Sequence, residues 1–181
     1  MRAIDQELVD EVWQEMIAYP PERAEDEARG FIQRQPHVAK LCQSATTEFD
    51  DHVKKTALGI TFLLFKILEA SRGAPFPTVT RQRITEAYQA TTEWLERSEG
   101  VHPRIFLRSV EGGGEFPQPN LIQYLLTVFY GNDGESAEYD EEVKATLFLL
   151  LKTVSDALEI SPVEEKRPKR RPKMRKRRKL G

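Results

Sequence analysis

Residues 49 to 72 read FDDHVKKTALGITFLLFKILEASR, and residues 139 to 160 read YDEEVKATLFLLLKTVSDALEI. Each stretch opens on an aromatic residue and an aspartate, with carboxylates in what would be the first helical turn, where the positive end of the helix dipole favours them. Each then becomes apolar on every side, through FLLFK at 62–66 and FLLLK at 148–152. A helix apolar all round must be covered all round, so two such helices are expected to pack on each other at the centre of an all-α body.

Matches continue outward from this pair in the same order along the chain. FDDHVKKT at 49–56 answers YDEEVKAT at 139–146, VDEVWQ at 9–14 answers ITEAYQ at 84–89, and QPHVAKL at 35–41 answers QPNLIQY at 118–124. The offsets drift through 75, 83, 90 and 86, as linkers of changing length between conserved elements would make them. The fall from 90 to 86 removes about one turn from the second long helix while keeping later side chains nearly in phase. The reading is one domain over residues 1–162, built from two similar four-helix units at about 5–71 and 80–159, eight helices in all.

Proline and capping residues set the boundaries. Asp5 caps a helix from about Gln6 to Ala18, with Leu8, Val9, Val12, Trp13, Met16 and Ile17 on one stripe. Pro21 suits the first turn of a second helix, acidic outside, that stops near Pro36; a third runs from Pro36 to about Ser44 and the fourth from about Phe49 to Ser71. Thr80 caps a helix from Arg81 to Arg97. Short helices are expected after Pro103 and from about Pro119 to Tyr130, and the last from about Tyr139 to Glu159. No stretch reads as a strand.

Composition narrows the function classes. The single cysteine, Cys42, excludes an internal disulfide, and the opening MRAIDQELVDEV has no apolar leader, so a cytoplasmic protein is expected, or a nuclear one from a eukaryotic source. The longest apolar run, 57–68, contains Gly59, Thr61 and Lys66 and falls short of the roughly 20 residues that span a bilayer. Gly112 to Gly114 lack the phosphate-loop pattern, and no Gly-x-Ser-x-Gly, HExxH, CxxC or GxGxxG occurs. No catalytic, cofactor or metal site is assigned.

Individual candidates reduce to simpler roles. His52 beside Asp50 and Asp51 reads as a helix start, and Glu99 with His102 falls in a turn. His37 and Cys42 lie on faces roughly 140° apart, which leaves Cys42 a buried thiol. Lys66 and Lys152 occupy matched places in the apolar helices, where a desolvated lysine could act as a nucleophile, but a stem lying along apolar surface explains them more simply. Trp13 and Trp94 are core or rim anchors.

The remaining chemistry is at the C-terminal end. Residues 166–181 read KRPKRRPKMRKRRKLG and hold eleven of the chain's 27 Lys+Arg: Lys166, Arg167, Lys169, Arg170, Arg171, Lys173, Arg175, Lys176, Arg177, Arg178 and Lys179. Residues 1–165 retain 16 basic against 29 acidic residues, a net charge of about −13. Like-charge repulsion, with Pro168 and Pro172, predicts a tail (163–181) disordered when free. Arginine forks and lysine point charges suit phosphates, and without aromatic residues the tail has no surface for base stacking, so sequence-independent, salt-dependent binding of DNA or RNA is expected. No membrane partner is expected, since no lipidation motif or apolar anchor accompanies the charge. The acidic body could attract the tail within or between molecules, and could hold a protein partner. These features describe a non-enzymatic helical adaptor or accessory protein with a nucleic-acid-binding tail; the alternative is a small-molecule or catalytic pocket at the junction of the two units.

Overall fold

The computed structural model describes residues 4–97, 118, 120, 121, 124 and 139–159. These residues are all-helical, with no strand among them. Helix α1 spans Gln6–Ile17, α2 Pro21–Arg34, α3 Pro36–Ala45, α4 Asp51–Arg72, α5 Arg81–Arg97 and α6 Glu141–Leu158. Asn120, Leu121 and Tyr124 are also helical. The rest of the helix expected there, the one after Pro103 and the tail lie outside the described residues.

Local chemistry places these boundaries. The Asp5 carboxylate accepts from the Leu8 N–H at 3.0 Å, and Asp50 and Asp140 accept from Val53 and Val143, each at 2.9 Å. Each aspartate satisfies one of the amides that a helix start leaves without a partner. Asp50 caps α4 from outside it, which is why that helix begins two residues beyond Phe49. Proline occupies the first position of α2 and α3, where its missing N–H costs nothing. Thr80 Oγ1 accepts from the Arg83 N–H at 3.2 Å ahead of α5. Gly73 ends α4 in the left-handed region, at φ 66°, and its N–H donates to the carbonyls of Glu69 and Ala70 at 3.1 Å.

Packing follows the apolar faces. Helix α1 lies against α4, α5 against α6, and α4 and α6 against each other; α3 touches α2, α4, α5 and α6. From Thr61 to Leu68 every residue of α4 except Lys66 is buried, and in α6 Leu147, Phe148, Leu150, Leu151, Val154, Ala157 and Leu158 are buried. Each fully buried leucine or isoleucine here stabilises the fold by about 1.5–3 kcal/mol relative to exposure. Phe31 of α2 meets Phe65 and Phe62 with ring centroids 5.0 and 5.6 Å apart, and Trp94 of α5 meets Phe148 at 6.2 Å. Helix α4 has 22 residues and α6 has 18. The difference is about one turn.

Two buried glutamines cross-link the chain over long distances. Gln35 Oε1 accepts from the Val79 N–H at 2.9 Å, and its Nε2 donates to the Pro77 carbonyl at 3.0 Å. Gln118 Oε1 accepts from the Ile4 N–H at 2.9 Å, and its Nε2 donates to Glu159 at 3.2 Å. Asn120 Nδ2 also donates to the Ile4 carbonyl at 2.6 Å. Ile4 and Val79 each immediately precede the capping residue of a helix, α1 and α5 respectively. Both glutamines immediately precede a proline.

Candidate functional site

The eleven cationic side chains from Lys166 to Lys179 lie outside the described residues. Their counter-charge does not. Glu7, Asp10, Glu11 and Glu15 of α1 and Glu22, Glu25 and Asp26 of α2 are exposed, and of these only Glu15 and Asp26 meet a cation, Arg23 at 2.9 Å and Arg29 at 3.7 Å. This leaves a net acidic surface on the first two helices. Salt screens such exposed charges over about 8 Å at physiological ionic strength.

The two lysines singled out in the apolar helices are both ion-paired. Lys66 Nζ lies 3.5 Å from Glu27 of α2, and Lys152 Nζ is bonded to Asp156 one turn further along α6, where Asp156 also accepts from Thr91 Oγ1 at 3.4 Å. Each ion pair accounts for its lysine as a structural charge on the flank of an apolar helix. A third lysine, Lys144, is only 5% exposed and pairs with Glu141 at 3.0 Å. Its burial was not evident from the sequence, where it follows two glutamates in the first turns of the helix; its i, i+3 spacing from Glu141 was the available signal.

His52 stacks on Tyr139 with ring centroids 6.0 Å apart, its Nε2 lying 3.3 Å from the Tyr139 hydroxyl. Among the described residues no group of three or more His, Cys, Asp or Glu side chains could hold a metal ion. Cys42 is buried, and its burial pushes the thiol pKa up, so it stays protonated; His37 is exposed on another face of α3. Trp13 is 40% exposed, its ring 6.3 Å from Tyr124, whose hydroxyl is pushed up to about 12 by burial and then by Asp10. Glu99, His102 and Gly112 to Gly114 lie outside the described residues.

Two of the concave surfaces among the described residues lie between helices. A groove of about 790 Å³ runs between α2, α3 and α4, lined by Ile32, Ala39, Lys40, Cys42, Lys54 and Leu58 among others. A cleft of about 390 Å³ lies where α1 and α4 meet the segment after Gly73, and the Arg34–Glu69 pair, 2.8 Å apart, occupies its wall. Neither is lined by α6. No helix among the described residues is long and apolar enough to cross a membrane. No family model, curated protein or solved structure matches the chain.

Proposed function

We propose that the chain is a non-enzymatic helical adaptor or accessory protein, working in the cytoplasm or nucleus, whose body takes a protein partner and whose tail holds DNA or RNA without regard to sequence. The observation that carries this reading is the segregation of charge: eleven cations and no acid in residues 166–181, against 29 acids elsewhere. Neutralised phosphates release counterions, so affinity falls steeply with salt. The acidic surface of α1 and α2 competes for the tail, which restricts binding to polyanions of high charge density.

The body in this proposal is a duplicated four-helix unit, eight helices in all. Its support is the equivalence of contacts at positions matched in sequence. Asp50 and Asp140 cap their helices through the valine three residues on, and α1 packs on α4 as α5 packs on α6. Gln35 of the first unit accepts the amide ahead of α5, and Gln118 of the second accepts the amide ahead of α1. That exchange is the pattern of a pseudo-twofold.

The test is fluorescence anisotropy with labelled duplex DNA and RNA, titrated with the full chain and with a chain truncated after Ser161, from low to physiological salt. The full chain binds both, with log affinity falling linearly against log salt, and the truncated chain does not. Equal binding by the two chains, or no binding by either at low salt, refutes the role of the tail.

A further inference from the structure

We propose that the groove between α2, α3 and α4 is a binding site for an amphipathic organic anion, its apolar body against Ile32, Ala39 and Leu58 and its acidic group on Lys54 and Lys40. The volume, about 790 Å³, falls in the ordinary range of ligand sites, and the walls are mainly apolar, with a few polar groups to fix orientation. Ile32 stands at the groove 41% exposed, one of four large apolar side chains so open to water among the described residues. Burial keeps the Cys42 thiol neutral, so the groove carries no thiolate to repel an anion.

The lysines supply the charge argument. Lys66, Lys144 and Lys152 each pair with a carboxylate. Among the described residues, rich in acids, Lys54 and Lys40 meet no carboxylate, and Lys54 is half-buried. The contrast is sharpest at matched positions. Lys144 holds Glu141 three residues before it at 3.0 Å, whereas Lys54, with Asp51 three residues before it, forms no such pair. A half-buried ammonium without a carboxylate, in an apolar groove, is a place prepared for a negative charge from elsewhere.

The groove also depends on residues special to the first long helix. Between Ala57 and Phe62, residues 58–61 read LGIT and have no counterpart between Leu147 and Phe148. Leu58 lines the groove, and Thr61 Oγ1 donates to Cys42 Sγ at 4.0 Å behind it. The extra turn of α4 therefore contributes Leu58 to the apolar wall of the groove.

Dodecanoate, kept below its micelle concentration, is the probe. It is titrated into the full-length protein at 0.15 M salt, by calorimetry and by amide chemical shifts. The expected result is saturable binding with shifts at Ile32, Ala39 and Leu58, and an affinity at least tenfold lower in Lys40→Glu/Lys54→Glu. Ile32→Asp weakens binding too, Lys55→Glu leaves it unchanged, and dodecylammonium binds more weakly than dodecanoate. The proposal is overturned by shifts confined to residues 166–179, by equal binding of the anion and the ammonium, by no saturable binding, or by a Lys40→Glu/Lys54→Glu protein that is folded by circular dichroism and binds as the parent does.

Discussion

Replacing Gln35 by leucine tests whether the buried amides hold the body together. Leucine nearly matches glutamine in volume, so the substitution removes hydrogen bonding while leaving little cavity. It strands the Val79 N–H, now bonded at 2.9 Å, and the Pro77 carbonyl, bonded at 3.0 Å. The side chain is fully buried, so water does not replace the bond to the Val79 N–H without opening the structure. A buried polar group left without a partner costs about 1–3 kcal/mol, and Val79 is itself only 4% exposed. The Pro77 carbonyl is nearer solvent and adds less, so Gln35→Leu should destabilise by about 2–3 kcal/mol in total. For a body of this size that lowers Tm by roughly 4–12 °C. Urea unfolding followed by far-ultraviolet circular dichroism measures it, with Gln33→Leu, an exposed neighbour, as the control that stays within about 0.5 kcal/mol. A loss below about 0.5 kcal/mol for Gln35→Leu would refute the reasoning.

Two further outcomes follow from buried groups. Thr153 in α6 is fully buried and its Oγ1 has no hydrogen-bond partner among the described residues, while the position matched to it in α4 is Ile67, also buried. Thr153→Val should therefore raise stability by about 1 kcal/mol in the same urea assay, and a loss of stability would show that the hydroxyl is satisfied. Tyr124, pushed up to about 12, holds its proton more tightly folded than unfolded, where a tyrosine titrates near about 10. Its contribution is intact below pH of about 10 and is lost as pH rises towards 12, so the urea midpoint should fall over that window, and fall less in Tyr124→Phe. Absorbance at 295 nm should lose a late-ionising tyrosine in Tyr124→Phe, while Tyr19, also raised by burial and by Glu15, still titrates late in both.

Local signals made the helices readable, and they failed where the decisive contact is remote. Asp5, Pro21 and Pro36 act within a few residues of themselves, so the starts of α1, α2 and α3 could be placed from adjacent chemistry, whereas starts read at Phe49 and Tyr139 fall two residues early because Asp50 and Asp140 cap α4 and α6 from outside. The QP dipeptides at 35 and 118 were equally visible, but the glutamine amides bond to residues 44 and 114 positions away, and nothing nearby names those acceptors and donors. The same limit hid the groove. Ile32, Lys40 and Lys54 belong to three helices, and only packing puts them on one surface. Lys66 looked exceptional in its apolar run, yet Glu27, on another helix, accounts for its charge.

The two glutamine links differ in when the growing chain can make them. Gln35 and Val79 are 44 residues apart, so that link becomes available once the first half has been synthesised. Ile4 waits for Gln118, and Gln118 in turn bonds Glu159. A nascent chain thus holds the segment leading into α1 without its native acceptor until most of the body has been made. Contacts of such long sequence separation are slow to close. The segment leading into α1 is therefore translated long before the residues that secure it, and a ribosome stalled before residue 118 would present α1 to chaperones and proteases without that tether.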